Sequence, residues 1–266
     1  MTELLEKLKK RIANDGPLSL AEYMSESLVE PEYGYYMNGD PLGKKGDFVT
    51  APEVSQMFGE LIGLWCAIVW HKMGSPNKIK IIELGPGRGT LMVDALRALK
   101  LAPTFLDAIE VHLVEVSPAL RKRQERNLKS LGFNFYWHNK FEDVPKGAFI
   151  LLANEFLDAL PVQQFEKSNV GWVERMITIG RMGELIWELD KFSEGKSLPI
   201  PPNLMLSPVG SIFEYSEVAL ELITAVTESV LKYEGAALFI DYGYTESVIG
   251  DTLQAVKNHK YHDPLN

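Results

Sequence analysis

Apolar residues between positions 78 and 160 fall into short runs that alternate with longer amphipathic segments. Four runs have the length and composition of buried strands: Ile79–Leu84, Val111–Val116, Phe133–Trp137 and Ala148–Ala153. The intervening segments Leu91–Lys100 and Pro118–Leu131 carry the pattern of helices. Strands separated by helices of this length predict parallel strand–helix–strand units, and therefore an α/β fold with a doubly wound, mostly parallel sheet.

The pattern changes after residue 160. Three strand-like pieces between residues 162 and 190 are separated by asparagine and glycine, which predicts an antiparallel strand insertion at about 162–210. Leu198–Pro208 is a proline-rich connector, Phe213–Lys232 is predicted to be a helix, and Ala236–Asp241 one more buried strand. We expect no pair of strands after residue 241.

The first 77 residues do not follow the strand–helix alternation and are predicted to form an N-terminal helical and lid extension of the core at 78–266. Residues 1–30 look helical, with Ser19 and Glu22 forming a capping box. Pro31–Glu53 is rich in Gly, Pro and Tyr and is too long for an ordinary connection, which favours a lid or binding loop. Thr50 and Glu53 predict a second capping box ahead of a buried apolar helix.

Composition excludes several classes of protein. The chain has 266 residues, 46% of them hydrophobic, and a net charge of −9, which argues against nucleic acid as the main partner. The single cysteine, Cys66, excludes cysteine-based zinc and iron–sulfur sites and suits a reducing compartment. Its apolar run is too short for a membrane span. His259, His262 and Asp263 lack a further ligand group, so no metal is expected.

The most informative segment is the glycine-rich sequence that follows the first predicted strand. Glu83, Gly85, Gly87 and Gly89 form the pattern E-x-G-x-G-x-G directly before a helix. Glycines allow a tight turn and close approach of a ligand to the backbone, and the helix N-terminus offers N–H groups. Thr90 stands where a dinucleotide fingerprint requires glycine, and no P-loop lysine follows. The pattern is that of S-adenosylmethionine (SAM) sites; a simple helix-capping turn is the alternative.

Polar residues also follow the second and fourth predicted strands. Glu115 is suited to accept both ribose hydroxyls of a nucleoside, or is a solvated strand-end acid. Asn154, Glu155 and Asp158 come where ligands of open α/β sheets bind. On a nascent helical turn, the two carboxylates share a face and can grip a guanidinium group. The alternative is that Asn154 caps a helix and the acids favour its dipole.

Six segments together resemble a known family. The chain is similar to the MidA-like family of class I SAM-dependent methyltransferases, which contains the mitochondrial complex I assembly protein that methylates arginine. The segments are GDFVTAPEVSQMFGE at Gly46–Glu60, ELGPGRGTL at Glu83–Leu91, EVSP at Glu115–Pro118, NEFLDALP at Asn154–Pro161, IDYGY at Ile240–Tyr244 and GDTLQA at Gly250–Ala255.

The resemblance implies a Rossmann-like core, SAM as the cofactor and a protein arginine as the substrate. It places SAM against Gly85, Gly87, Gly89 and Glu115, and the acceptor against Asn154, Glu155 and Asp158. Members of the family continue beyond residue 266, so we expect their closing strands to lie outside this sequence. The adenine contact stays unassigned, because Lys140 and Phe141 precede Glu142 and Asp143 after the third strand.

We therefore predict a SAM-dependent methyltransferase that acts on an arginine-bearing protein, with a subunit of respiratory complex I as the partner that the resemblance suggests. The expected location is the cytoplasm of a bacterium or the mitochondrial matrix of a eukaryote. The oligomeric state is left open. Three alternatives stay open: a non-catalytic SAM-binding assembly factor, a small-molecule methyltransferase, and a nicotinamide oxidoreductase, against which Thr90 argues.

Overall fold

The structure, a computed structural model, describes residues 3–37, 46–48, 50–190, 198–244, 246, 248–257 and 259–265. The helices of this part of the chain are α1 Glu3–Asp15, α2 Leu20–Val29, α3 Ala51–Val54, α4 Gln56–Lys72, α5 Thr90–Ala98, α6 Pro103–Ala108, α7 Pro118–Leu128 and α8 Glu217–Tyr233. The strands are β1 Leu18–Ser19, β2 Ile79–Leu84, β3 Ile109–Val114, β4 Phe135–His138, β5 Phe149–Asn154, β6 Gln163–Lys167, β7 Trp172–Ile179, β8 Leu185–Leu189, β9 Ile212–Tyr215, β10 Ala236–Ile240, β11 Ala255–Lys257 and β12 Lys260–His262.

The contacts divide the chain into two units. One contains residues 36–159 and 221–241, and we call it the parallel-sheet unit. The other contains residues 1–35, 160–220 and 242–266, and we call it the antiparallel-sheet unit. Residues 36–77 are grouped with the parallel sheet in this division, whereas the sequence predicts a boundary after residue 77; that boundary stays a prediction.

The parallel-sheet unit is built on five strands in the order β10-β5-β2-β3-β4. All four neighbouring pairs run parallel. Successive residues of β2 enter different apolar clusters: Ile81 packs in the cluster that contains Cys66 and Phe105, and Ile82 in the one that contains Val226 of α8. A strand that is buried on both faces explains its continuous apolar sequence. The predicted α/β class with a mostly parallel, doubly wound sheet is confirmed.

Two glycines allow α4 to pack closely on α5. A Cβ added to Gly59 would lie 2.7 Å from Cβ of Asp94, and one added to Gly63 would lie 2.6 Å from the carbonyl oxygen of Ala95. The opposite face of α4 is open, since the apolar side chains of Leu61 and Ile68 are more than half exposed. The expectation of a buried helix is therefore wrong in part: the apolar pattern runs around the helix, whereas the packing uses one side.

The antiparallel-sheet unit confirms the predicted meander. β6 pairs with β7, and β7 pairs with β8, all antiparallel. The same sheet also contains β1 beside β7, and β9 beside β6. β9 corrects the helix expected from residue 213, because residues 212–215 pair with β6 and the helix begins at Glu217. The three strands of the insertion are thus part of a five-stranded sheet that also contains β1 from the N-terminal segment and β9.

Two further details of the sequence analysis are tested by local geometry. Ser19 and Glu22 form the predicted capping box of α2. The expectation of no strand pair after residue 241 is wrong, since β11 and β12 form an antiparallel pair. Each of these strands has only three residues, which is too short for an apolar periodicity from which it could be predicted. In the described part of the chain, no helix is long and apolar enough to cross a membrane.

Candidate active site

The candidate site lies in the parallel-sheet unit, where four neighbouring strands end. Asp241 follows β10, Asn154 ends β5, Gly85 follows β2 and Glu115 follows β3 by one residue. Because these strands are parallel and adjacent, their carboxyl ends meet along one edge of the sheet. The order along this edge is therefore Asp241, Asn154, Gly85 and Glu115, which places the predicted acceptor residues beside the glycine loop.

The glycine loop uses backbone conformations that favour glycine. Gly85, Gly87 and Gly89 have φ values of 57°, 54° and 77°. Gly85 also has no room for a side chain, because an added Cβ would lie 2.6 Å from Cδ2 of Phe156. The Gly85 N–H donates to the carbonyl oxygen of Val114 at 3.0 Å, which ties the loop to β3. α5 begins at Thr90, so the loop leads directly into a helix N-terminus.

Glu83 places an unpaired carboxylate oxygen under this loop. Its side chain is 3% exposed, and its Oε2 has no hydrogen-bond partner within the described residues. Burial, followed by the nearby Glu115 carboxylate, raises the pKa of Glu83 to about 8. A buried acid without a partner is costly for the fold, and a cation bound beside it would lower that cost.

Glu115 is buried as well, which excludes the solvated strand-end acid considered above. It is 7% exposed; its Oε1 accepts the N–H of Ser117 at 2.8 Å and its Oε2 accepts the side-chain amide of Gln124 at 3.1 Å. Burial raises the pKa of Glu115, while these two hydrogen bonds act in the opposite direction. Each carboxylate oxygen retains a further lone pair with which it can accept from a hydroxyl.

The predicted acceptor residues lie in a turn and not in a helix. After Asn154 the described chain forms bends and a turn, so the expected nascent helix and its alternative, a helix capped by Asn154, are both wrong. The reason is Glu155, whose φ of 46° ends the strand in the left-handed region. The Asn154 Oδ1 atom is buried without a partner, and its Nδ2 lies 3.5 Å from Glu155 Oε1.

Asp241 holds this turn together. Its Oδ2 accepts the backbone N–H groups of Leu157 at 2.8 Å and Asp158 at 3.1 Å. Glu155 Oε1 in turn accepts the N–H of Ala51 at 3.3 Å. Burial, followed by the charges of Asp241 and Glu155, raises the pKa of Asp158 to about 6. Three carboxyl groups therefore share this end of β5 and β10.

The segment Pro31–Glu53, predicted to be a lid or binding loop, is described in part, since residues 38–45 and 49 lie outside the described residues. Thr50 is the N-cap of α3 but its side chain makes no capping hydrogen bond, so the capping box with Glu53 is wrong. Glu53 instead accepts the Thr90 hydroxyl at 2.5 Å and the Arg88 guanidinium at 3.4 Å. It thereby joins α3 to the glycine loop.

Three contacts that organise the site are not predicted by the sequence. They are made by Asp241, by Gln124 and by Glu53, which the sequence predicts in a capping box and not against the glycine loop. Asp241 lies in the IDYGY segment, but nothing local indicates that its carboxylate caps a turn 84 residues earlier. Gln124 is a polar residue with 0% exposure in the middle of α7, and burial is not visible in the sequence. The helical register of α7, with Leu120, Gln124 and Leu128 buried on one face, is the only signal.

The chain is similar to several known proteins. Residues 61–266 match the model of a family described as "Putative S-adenosyl-L-methionine-dependent methyltransferase". The Drosophila melanogaster protein named "Protein arginine methyltransferase NDUFAF7 homolog, mitochondrial" is 36% identical over 98% of this chain and 65% of its own length. The Homo sapiens protein named "Protein arginine methyltransferase NDUFAF7, mitochondrial" is 35% identical over 100% of this chain and 64% of its own length. The chain thus spans about two thirds of these relatives.

A solved structure gives the same result for the fold. A crystal structure of a Burkholderia thailandensis protein bound to S-adenosyl-homocysteine superposes with a TM-score of 0.79 at 27% identity, covering 98% of this chain and 70% of that one. The family match covers well over half of the sequence. The chain therefore belongs to the family of S-adenosyl-L-methionine-dependent methyltransferases that this model describes.

Proposed function

We propose that this protein is a SAM-dependent methyltransferase that transfers a methyl group to an arginine of a protein. One observation carries the proposal: of the four buried side-chain atoms that have no partner among the described residues, two, Glu83 Oε2 and Asn154 Oδ1, lie near the carboxyl ends of neighbouring strands, beside the glycine loop. Polar atoms are rarely left in this state unless a ligand or water satisfies them. One is acidic and the other is an amide oxygen, which suits ligands that donate hydrogen bonds.

The residues fit the cofactor in chemical terms. Glu83 would face the ammonium group of the methionyl part, and Glu115 would accept the ribose hydroxyls. The positive φ values of Gly85, Gly87 and Gly89 and the lack of a Cβ let the loop approach the cofactor closely. When bound, SAM supplies an electrophilic methyl group. The protein's own part is to hold both reactants and to keep their charges balanced.

Asn154, Glu155 and Asp158 would orient the guanidinium group of the substrate arginine. A free arginine has a pKa above about 12, so alignment of one nitrogen is a better strategy than deprotonation by a distant base. Carboxylates on the other side of the group would hold its positive charge in place. A bound guanidinium would also lower the pKa of Asp158 from about 6 and keep its carboxylate ionised.

The relatives' names support the finer parts of the proposal. Both are named protein arginine methyltransferases and mitochondrial. We extend the proposal to a subunit of respiratory complex I as the substrate, which rests on the family resemblance. The location would be the mitochondrial matrix in a eukaryote and the cytoplasm in a bacterium.

The test uses cells that lack this protein and are complemented with the wild type or with Glu155→Gln. Mass spectrometry quantifies methylarginine in the proteome, and calorimetry with S-adenosyl-homocysteine measures cofactor binding by each purified protein. We expect the wild type to restore methylarginine on at least one protein. Glu155→Gln should lower that signal about 100-fold while its affinity for S-adenosyl-homocysteine changes less than about threefold.

Glu228→Gln is the matched control, because Glu228 is exposed on α8 in the same unit. It should behave as the wild type. If the protein binds S-adenosyl-homocysteine but no arginine methylation depends on it, the alternative of a non-catalytic SAM-binding factor replaces the proposal. If it binds no S-adenosyl-homocysteine, the proposal fails entirely.

A further inference from the structure

Gln124 joins three segments of the parallel-sheet unit although its side chain is entirely buried. Its amide nitrogen donates to the carbonyl oxygen of Gly87 at 2.8 Å and to Glu115 Oε2 at 3.1 Å. Its amide oxygen accepts the indole N–H of Trp137 at 2.8 Å. The three partners belong to the glycine loop, the residue after β3 and strand β4.

The orientation of this amide follows from the chemistry of its partners. An indole N–H can only donate, so Trp137 must face the amide oxygen of Gln124. A carbonyl oxygen and a carboxylate oxygen can only accept, so both N–H groups must point to Gly87 and Glu115. Every donor of the side chain is therefore used, and no rotation of the amide would satisfy the same set of partners.

α7 makes a second contact of the same kind one turn later. The side-chain amide of Asn127 donates to the carbonyl oxygen of Arg88 at 2.9 Å. Two consecutive carbonyl groups of the loop are thus turned toward α7. Gly89 lies directly against this helix, since an added Cβ would be 3.6 Å from Cγ of Gln124.

We propose that Gln124 is a positioning residue for the cofactor: it fixes the Glu115 carboxylate and the Gly87 carbonyl in one arrangement, so that the glycine loop and the ribose acceptor are set together. The inference rests on the proposed function, because it assumes that Glu115 and the loop bind the cofactor. Gln124 itself need not touch the cofactor. Its hydrogen bond to Glu115 involves a charged acceptor, which is the stronger kind.

Two substitutions of Gln124 should change cofactor affinity with opposite dependence on pH. Gln124→Met removes the donor, so Glu115 is protonated more readily and binding suffers most at low pH. Gln124→Glu brings a second acid to Glu115, and the two carboxylates repel each other once ionised, so binding suffers most at high pH. The affinity for S-adenosyl-homocysteine is measured by calorimetry between pH 6 and 9, as the ratio of each variant's dissociation constant to that of the wild type.

We expect the dissociation constant to rise roughly 30-fold over that of the wild type, at pH 6 for Gln124→Met and at pH 9 for Gln124→Glu. Gln164→Met is the matched control: Gln164 is also 0% exposed, and its amide contacts Glu214, Asp251 and Arg175 in the antiparallel-sheet unit. Gln164→Met should lower the free energy of unfolding, but the ratio of its dissociation constant to that of the wild type should not change with pH.

The inference is overturned if both Gln124 variants raise the dissociation constant by the same factor and this factor does not change with pH. Such a result would indicate a purely structural role for Gln124. If Gln124→Met fails to fold, Gln124→Glu carries the test alone, since its ratio must rise with pH. A wild type that binds no S-adenosyl-homocysteine would instead contradict the proposed function, so the two failures are distinguishable.

Discussion

The two sides of the candidate site are held in place by different kinds of contact. On the cofactor side, Glu83–Gly89 with Glu115, the loop after β2 takes its shape from three glycines with positive φ and from its contacts with Gln124 and Asn127 of α7. The acceptor side, Asn154–Asp158 with Asp241, uses a non-glycine residue, Glu155, at a φ of 46° and is tied to residues far away in sequence. Its hydrogen bonds reach Ala51 and Asp241, which are separated from their partners by 104 and 84 residues.

This difference predicts that substitutions on the two sides change different quantities, the cofactor affinity on one side and the rate of methyl transfer on the other. A loop whose glycines set the backbone near the ligand determines whether the cofactor fits at all. A turn that is held by distant side chains determines the orientation of the acceptor carboxylates. Incorrect orientation of the reactants lowers the rate of methyl transfer more than it lowers the affinity for them. Changes on the cofactor side should therefore affect affinity first, and changes on the acceptor side should affect methyl transfer first.

The largest effect is expected for Gly85→Val on the cofactor side. Valine would have to adopt a φ near 57° and place its Cβ about where Phe156 lies, at 2.6 Å from Cδ2. We expect a loss of about 2 to 4 kcal/mol in the free energy of unfolding and at least about a 100-fold loss in affinity for S-adenosyl-homocysteine. Urea denaturation and calorimetry measure the two quantities.

Gly132→Val is the matched control for Gly85→Val. Gly132 also has a positive φ, at 77°, but nothing lies within 4 Å of an added Cβ. It should therefore lose stability through backbone strain and keep its cofactor affinity. Equal affinity losses in both variants would mean that general destabilisation, and not the shape of the loop, controls binding.

On the acceptor side, Asp241→Ala should produce the opposite pattern. The change leaves the N–H groups of Leu157 and Asp158 without their acceptor, so the turn that carries Glu155 and Asp158 loses its fixed shape. We expect methyl transfer to fall roughly 30-fold and the affinity for S-adenosyl-homocysteine to change less than about threefold. Asp241→Asn retains one acceptor oxygen and should recover part of the rate. A variant that loses affinity and rate equally would contradict the separation of the two sides.

The same contrast explains what could be predicted from the sequence. The strands of the parallel sheet and the glycine loop are encoded by short apolar runs and by local turn chemistry, and both are found where the pattern predicts them. Asp241 and Gln124 act across 84 and 37 residues, so no local pattern indicates their partners. The errors have the same cause. The capping box at Thr50 fails because Glu53 bonds to Thr90. The helix after Asn154 is replaced by a turn that starts with Glu155 at a φ of 46° and is held by Asp241.

Glu83→Gln should raise the stability of the protein at high pH and weaken its binding of S-adenosyl-homocysteine. The pKa of Glu83 is about 8 in the folded protein and near 4.5 when unfolded. Between these values the folded state binds more protons than the unfolded state, so this group makes stability fall as pH rises from about 4.5 to 8. Glutamine does not ionise, so the variant should escape this fall and become more stable than the wild type by a few kcal/mol, about 2 to 4, near pH 9.

The binding of S-adenosyl-homocysteine completes the test of Glu83. The variant lacks the negative charge for the ligand's ammonium group, so its affinity should be about 10-fold weaker at pH 8. Binding to the wild type should release protons, which calorimetry detects in buffers of different ionisation enthalpy. A variant whose stability falls with pH as steeply as that of the wild type would show that Glu83 does not titrate in this window.

The smallest effect is expected where the two sides meet, at Glu53. Glu53→Gln keeps an oxygen that can accept the Thr90 hydroxyl but removes the charge beside Arg88, whose guanidinium is 3.4 Å away. An ion pair of this kind contributes about 0.5 kcal/mol, so the affinity for S-adenosyl-homocysteine should fall less than about threefold. Glu53→Ala also removes the acceptor of Thr90 and should weaken binding by a further factor of about two, which titration calorimetry can resolve. If both variants instead lower methyl transfer at unchanged affinity, α3 belongs with the acceptor side, to which it is already joined through the Ala51 N–H and Glu155.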